Sequence, residues 1–247
     1  MIAGYRSASG ITTSLLVMRG RRHNDDMSGV PSFAELAAAP DAALDGLTLA
    51  LAAEFRDVDA ARAVARLDVL GAELAHATER TDGDAVAQAI ACRQLLGVAQ
   101  GFAGDRKHYD HPDNSMLDVV LTRRRGLPIL LSVVYVEVAR RAGMALAGVG
   151  LPGHFVVGHF GADPPLLLDP FAGGRTIPSD GAQVPLRPWR APEIAMRMLN
   201  NLVATYQRCG DLSAAIRAGR MRLELPADAS LHEALEAELQ AMQARLN

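Results

Sequence analysis

Residues 125–169 read RGLPILLSVVYVEVARRAGMALAGVGLPGHFVVGHFGADPPLLLD, and this stretch decides the fold. Its first part predicts a helix over residues 128–142, because Pro128 suits the first helical position and Gly143 suits a left-handed helix end. Only Ser132 and Glu137 interrupt the apolar side chains of this helix before its closing arginines. A helix without a polar face must be surrounded by other elements, so we expect it to be buried.

After Gly143 the pattern changes to the two-residue period of β-strands. We expect strands over residues 146–150, 153–160 and 166–169, separated by turns rich in glycine and proline. The helical pattern of the preceding residues and these short strands together predict an α+β fold. In this fold the helix over residues 128–142 packs on a small antiparallel sheet.

The order of a buried helix followed by strands with one His and one Asp is typical of Cys-His-Asp hydrolases and acyltransferases. Such enzymes place the thiol at the helix N-terminus, where the helix dipole lowers its pKa, and an imidazole activates it. Here the helix starts with Pro128, which offers neither a nucleophile nor a backbone N–H. His154 and Asp169 stand where the second and third members of a triad are expected.

Several motifs resemble the SirB-type proteins, a branch of the transglutaminase-like superfamily, with a likeness that extends from Phe33 to the C-terminus. The matching runs are Asp113-Asn114-Ser115-Met116-Leu117, Arg-Gly-x-Pro-Ile-x-Leu-Ser from Arg125 to Ser132, Gly-Leu-Pro-Gly-His-Phe from Gly150 to Phe155, Leu168-Asp169-Pro170-Phe171 and Gly173-Gly174-Arg175. The resemblance implies a transglutaminase-like core of papain type. It also implies that Pro128 occupies the thiol position, that His154 and Asp169 occupy the family's His and Asp positions, and that relatives in this branch share the loss.

Two functions follow as hypotheses. The first is a non-catalytic binding, adaptor or regulatory module that receives a protein or peptide partner. Its cleft residues would be Pro128, Asn114, Ser115, Arg125 and Gly153.

The alternative is an atypical hydrolase or acyltransferase in which Ser132, or a water molecule, is activated by His154 and Asp169. Ser132 lies four residues beyond Pro128, about 6 Å further along the helix axis. A serine inside an apolar helix commonly donates to a carbonyl of the preceding turn, and we expect that bond here.

The chain divides into three predicted parts. Residues 1–31 form a disordered extension, with translation starting at Met1 or at Met27. Residues 32–190 form the transglutaminase-like domain, helical over 32–112 and with its core in 113–190; a capping-box pattern at Ser32 opens it, and breaks are expected near Pro40, residues 56–57 and residues 81–83. Residues 191–247 form a helical appendage, in which the pattern around Gly210 resembles one tetratricopeptide helix pair, followed by a last helix over residues 230–246.

Composition narrows the class of partner. The 247 residues carry a net charge of −3 with both signs interspersed, which predicts no binding to nucleic acid or to a membrane. The one basic run, residues 123–125, is expected in the last turn of a helix that starts at Asn114 or Ser115. The apolar run at residues 11–18 is too short for a secretory signal, and we expect a cytoplasmic protein.

Neither a metal nor another cofactor is expected. Residues 108–113 contain two His and two Asp, but Pro112 disrupts any regular metal-ligand spacing. The two cysteines are isolated, and Cys92 lies within a helical pattern, where a small buried side chain is the expected role.

Overall fold

The computed structural model describes residues 31–179 and 184–245 of the chain. The predicted extension therefore falls almost entirely outside the described residues, as does the choice of start codon. The helices are α1 Phe33–Ala38, α2 Leu44–Ala53, α3 Ala60–Thr78, α4 Ala85–Cys92, α5 Leu117–Arg123, α6 Pro128–Arg141, α7 Ala191–Arg208, α8 Leu212–Arg222 and α9 Ala229–Ala244. The strands are β1 Ala103–Gly104, β2 Arg125–Gly126, β3 Leu146–Leu151, β4 His154–His159, β5 Leu166–Asp169 and β6 Arg175–Ile177.

The first helices begin and end near the residues that the sequence marked as helix ends. The predicted capping box is present: the Ser32 amide donates to Glu35 Oε2 at 2.8 Å, and the Glu35 amide donates to Ser32 Oγ at 3.3 Å. The breaks predicted near Pro40, residues 56–57 and residues 81–83 all fall between helices. After α4 the chain continues as a π-helix, Arg93–Ala99, which the sequence pattern did not predict.

Helix α6 is the centre of the fold, as predicted. Leu130 and Val134 are fully buried, and α3, α5, β3 and β4 all pack against the helix. Its single buried acid, Glu137, accepts hydrogen bonds from Arg140 and Arg141. These bonds satisfy a carboxylate that would otherwise be costly to bury.

A four-stranded antiparallel sheet lies beside α6, in the order β3-β4-β5-β6. The three predicted strands are confirmed, and β6 is an addition too short to have been predicted. Alternation along β4 sends Phe155 and Val157 into the main core and Val156 into a second cluster on the other face. A separate parallel pair, β1 and β2, leads directly into α6.

The predicted start of α5 at Asn114 or Ser115 was wrong. Residues Pro112–Ser115 form a 3-10 helix, and α5 begins at Leu117 after an extended Met116. The Asn114 side chain does not cap α5: its Oδ1, the atom that would accept a capping N–H, has no hydrogen-bond partner within the described residues, and its Nδ2 donates to the carbonyl of His108 at 2.6 Å.

The C-terminal helices are not separate from the core. Ile194, Met198 and Leu202 of α7 are buried in the same hydrophobic cluster as α6. Helix α8 returns along α7 after a turn at Gly210, whose φ of 78° favours glycine. The last helix packs on α8 and starts and ends within two residues of the predicted bounds.

Candidate functional site

His154 and Asp169 lie on neighbouring strands at one end of the sheet. His154 is the first residue of β4 and Asp169 the last of β5, and these strands run antiparallel, so the two ends meet. His154 Nε2 is 3.1 Å from Asp169 Oδ2, and the side chains are 31% and 16% exposed. The structure thus brings together the two triad positions that the sequence indicated.

Asp169 is held in place by several donors. Its Oδ1 accepts the amide N–H groups of Phe171 at 2.9 Å and Ala172 at 3.3 Å. Partial burial alone would raise the pKa of Asp169, but the hydrogen bond from His154 and these amides outweigh it, so the pKa lies below its ordinary value. An anionic Asp169 therefore accepts a hydrogen bond from the His154 Nε2–H group at neutral pH, and Nδ1 is the second ring nitrogen.

The start of α6 is closed rather than reactive. Pro128 is buried, and the preceding Leu127 amide donates to the carbonyl of Asn114 at 3.0 Å. Asn114 is itself fully buried; its Nδ2 holds the loop that carries Tyr109, and its Oδ1 has no partner within the described residues.

Phe171 joins the His154–Asp169 pair to the segment before α6. Its ring meets His154 edge-on at 6.5 Å and Tyr109 edge-on at 5.9 Å between centroids. A Cβ atom at Gly104 would lie 2.3 Å from the Phe171 ring, so β1 approaches this closely only because that residue is glycine. Strand β1 pairs with β2, which ends two residues before Pro128. Phe171 therefore connects the His154–Asp169 pair to the segment that leads into α6.

The candidate nucleophiles are inaccessible or remote. Ser132 is fully buried and donates to the Pro128 carbonyl at 2.8 Å, which is the bond expected from the sequence. None of the hydrogen bonds found among the described residues joins Ser132 to His154. Cys92 is fully buried, and desolvation raises its pKa to about 12, whereas Cys209 is exposed at the end of α7.

The remaining predicted cleft residues are dispersed. Ser115 is buried in the 3-10 helix, and Arg125 is exposed on β2 and donates to the Gly101 carbonyl at 2.6 Å. Gly153 forms the turn between β3 and β4 with φ 69° and directly precedes His154. Of these three residues, only Gly153 adjoins the paired imidazole.

Sequence reasoning missed Arg197 of α7. Its Nη2 donates to the backbone carbonyl of His154 at 3.0 Å, and its guanidinium lies over the rings of Phe155 and Trp189 at 5.4 and 5.7 Å. No local motif marks this arginine, because the contact spans 43 residues of chain. We use the name His154 patch for five residues linked by contacts: His154 and Asp169 by their side chains, Phe171 and Tyr109 by their rings, and Arg197 by its bond to the His154 carbonyl.

Within residues 31–179 and 184–245, no three His, Cys, Asp or Glu side chains are grouped so that they could hold a metal ion. In the same part of the chain, no helix is long and apolar enough to cross a bilayer.

Comparison with known proteins identifies a superfamily profile and similar bacterial proteins. A sequence profile described as the transglutaminase-like superfamily matches residues 61–205, more than half of the chain. A UPF0162 protein of Xylella fastidiosa (strain 9a5c) is 35% identical over 153 residues, which cover 55% of this chain and 54% of that protein. A UPF0162 protein of Pseudomonas aeruginosa is 34% identical over 151 residues, covering 55% of each chain.

F-box only protein 21 of Mus musculus is 43% identical over 56 residues, which cover 23% of this chain and 9% of that protein. The chain spans about half the length of the bacterial relatives. No solved structure matches it significantly.

Proposed function

The chain belongs to the transglutaminase-like superfamily, and we propose that it works without covalent catalysis, as a binding, adaptor or regulatory module whose His154 patch receives a protein or peptide partner. The observation that carries this proposal is Pro128 at the first position of α6. Thiol chemistry on this fold needs a nucleophile there, and proline supplies none.

Two candidate nucleophiles among the described residues, Ser132 and Cys92, are poorly suited to that task. The Ser132 hydroxyl is committed to the Pro128 carbonyl, and the Cys92 thiol is protonated at neutral pH because its pKa is about 12. Retention of His154 and Asp169 does not require catalysis, because an oriented imidazole is also a directional hydrogen-bonding group. Tyr109, 46% exposed, adds an aromatic surface of the kind enriched in binding sites.

We further propose that the chain is of the SirB type and that α7 and α8 form a tetratricopeptide-like pair. The turn at Gly210 and the fully buried Ala215, which lets the helices approach closely, support this assignment. Such a pair offers a second surface for a protein partner. Two free cysteines fit a reducing compartment, and we propose the cytoplasm.

A second candidate function is hydrolysis by a water molecule that His154 activates. It is favoured by the 3.1 Å contact with Asp169, which leaves His154 Nδ1 as a possible base. The serine form of this alternative is disfavoured by the buried, carbonyl-bonded hydroxyl of Ser132.

Restoring a thiol tests whether the site keeps its catalytic geometry. In a background of Cys92→Ala and Cys209→Ser, Pro128→Cys would place the one thiol of the chain at the start of α6. We expect iodoacetamide to alkylate it faster than it does after the further change His154→Ala, because an imidazole beside a thiol at a helix N-terminus lowers the thiol pKa. Ala191→Cys, at the more exposed start of α7, reports the effect of a helix N-terminus without an imidazole. We expect no turnover of peptide amides or esters, because small misplacement of reacting groups costs about a hundredfold in rate.

The unmodified protein tests the alternative. A fluorophosphonate probe labels an activated serine, and we expect no labelling of Ser132. We also expect no hydrolysis of peptide anilides above a His154→Ala background. Hydrolysis that is lost in Ser132→Ala would establish the serine enzyme, and hydrolysis lost only in His154→Ala and Asp169→Asn would establish the water mechanism; either result overturns the binding proposal.

A further inference from the structure

We propose that the His154 patch recognises a carboxylate of its partner and that Arg197 binds this carboxylate directly. The inference rests on the proposed binding function and adds the chemical class of the group that is bound. The carboxylate comes from an Asp or Glu side chain or from a chain terminus, and the two sources share the same chemistry.

Arg197 lacks the carboxylate partner that the other arginines of residues 187–208 have. On the same helix, Arg208 pairs with Asp110 at 2.6 Å, and before the helix Arg187 pairs with Glu193 at 2.7 Å. Within the described residues, no Asp or Glu oxygen lies within ion-pair distance of Arg197, whose one hydrogen bond is to the His154 carbonyl. Its other donors remain for a ligand, and none of them is sealed from solvent without a partner.

The surroundings of Arg197 strengthen the attraction between its guanidinium and an incoming anion. Its guanidinium is partly desolvated between Phe155 and Trp189, and this burial lowers its pKa against the opposing effect of nearby Tyr109. It remains charged at neutral pH. A partly desolvated cation gains more from an anion than a fully hydrated one, because the local dielectric constant is lower.

The charges around the patch favour an anion. Arg197 and Arg106, which lies 5.1 Å above the Phe171 ring, are cations, and Arg175 is the cross-strand partner of Asp169 on β6. These three cations outnumber the Asp169 carboxylate. Asp169 repels a doubly charged phosphate more strongly than a carboxylate, so a phosphorylated partner is the competing outcome rather than the proposal.

The aromatic residues of the patch determine which kind of side chain fits beside the bound carboxylate. Phe171 and Tyr109 form an edge-to-face aromatic pair beside His154, and Tyr109 is the exposed member. Such a pair accommodates an apolar or aromatic side chain. The partner segment that fits is therefore a carboxylate next to an aromatic residue, with His154 Nδ1 available for a further hydrogen bond.

Four dipeptide probes test the proposal on the full chain by NMR titration: acetyl-Phe-Glu-amide, acetyl-Phe-Gln-amide, acetyl-Phe-Gln with a free carboxylate, and acetyl-Phe-phosphoserine-amide. The readouts are the Arg197 guanidinium signals, the His154 imidazole signals and the dissociation constant. We expect binding by the glutamate probe, by the free-terminus probe or by both, and their ratio identifies the source of the carboxylate. Loss of a charge-assisted hydrogen bond predicts about tenfold weaker binding of the amide control.

Arg197→Gln should weaken binding of the carboxylate probes about tenfold, as seen at His154, and should remove most of their advantage over the amide control. Arg220→Gln removes an exposed arginine of α8 and should change nothing. Because Arg197 also braces His154, Arg197→Lys serves as the variant that keeps the charge, and thermal melting shows that each variant is folded.

Equal binding of the amide and glutamate probes would overturn the carboxylate inference but leave the binding function standing. Stronger binding of the phosphoserine probe would replace carboxylate by phosphate. Absence of any shift in the patch with all four probes would also overturn the inference, whereas catalytic turnover in the separate activity tests would overturn the proposed function itself.

Discussion

A proline at position 128 leaves the site without two groups that acyl-transfer enzymes use. A nucleophilic side chain is absent, and so is the backbone N–H of the same residue, which in many acyl-transfer enzymes helps to bind the developing oxyanion. Pro128→Cys restores both, whereas Pro128→Ala restores only the N–H. Under the proposed function, His154 and Asp169, which remain paired, are groups that bind rather than attack.

The two native thiols should differ sharply in reactivity. Cys209 is exposed, while Cys92 is buried with a pKa raised by desolvation to about 12. We expect iodoacetamide at neutral pH to modify Cys209 alone in the folded protein and both residues in urea. Peptide mapping by mass spectrometry measures this, and native labelling of Cys92 would show that α4 opens readily.

Asp169 should make the protein sensitive to acid. Its pKa is lower in the folded chain than the roughly 3.9 of an unfolded aspartate, so the stabilisation is present above about pH 4 and is lost as pH falls further. We expect Asp169→Asn to be less stable at neutral pH and to lose stability less steeply on acidification. Urea unfolding at several pH values measures both effects, with the exposed Asp41→Asn as control; parallel curves for wild type and Asp169→Asn would contradict the assignment.

At the scale of single elements, the sequence predicted what depends on local pattern. The apolar run of α6, the capping box of α1 and three strands of the sheet follow from periodicity and end signals. The predicted start of α5 was wrong because Asn114, a residue type common at helix starts, lies in a 3-10 helix that ends before α5 begins. The π-helix was missed because an i→i+5 register leaves no mark on the apolar pattern.

The candidate site was predictable to the same extent. His154, Asp169 and the bond made by Ser132 follow from motif and helix geometry. Arg197 and Tyr109 were not predictable, because they reach the patch from segments distant in sequence that only tertiary packing brings together.

The π-helix has a packing role that a paired substitution can test. A Cβ atom at Gly97 would lie 1.9 Å from the carbonyl oxygen of Gly173, which belongs to the turn after Asp169. We expect Gly97→Ala to destabilise the protein by about 1–3 kcal/mol, because one backbone must move away from the other. At Gly46 in α2 the nearest atom is 3.8 Å away, and Gly46→Ala should instead stabilise by about 0.5–1 kcal/mol.

Urea unfolding midpoints compare the two substitutions directly. A Gly97→Ala variant as stable as wild type would mean that the π-helix and the Gly173 turn separate easily. The turn carrying Asp169 would then not be held from this side.

At the scale of the whole molecule, α7 belongs to the core that supports the patch. It buries Met198 and Leu202 against the central cluster, its Tyr206 stacks on Phe55 at 5.4 Å, and it supplies Arg197. The matched superfamily profile also continues to residue 205, past the boundary predicted at residue 190. That boundary remains a prediction, and the proposed tetratricopeptide-like pair would share its first helix with the superfamily domain.

Graded truncation tests this organisation, because the C-terminal helices contribute very differently to the core. Helix α9 packs on α8 and buries Leu235, Leu239 and Met242, so a chain ending at Ala227 loses one edge of the molecule. We expect it to keep a cooperative thermal transition, at a lower temperature, and an unchanged His154 NMR environment.

A chain ending at Arg190 also loses α7 and should neither unfold cooperatively nor stay soluble, because the apolar side chains of α6 that α7 covers become exposed. Cooperative folding of that shorter chain would establish a domain boundary at residue 190, and Arg197 would then be supplied to the patch by a separate, docked unit.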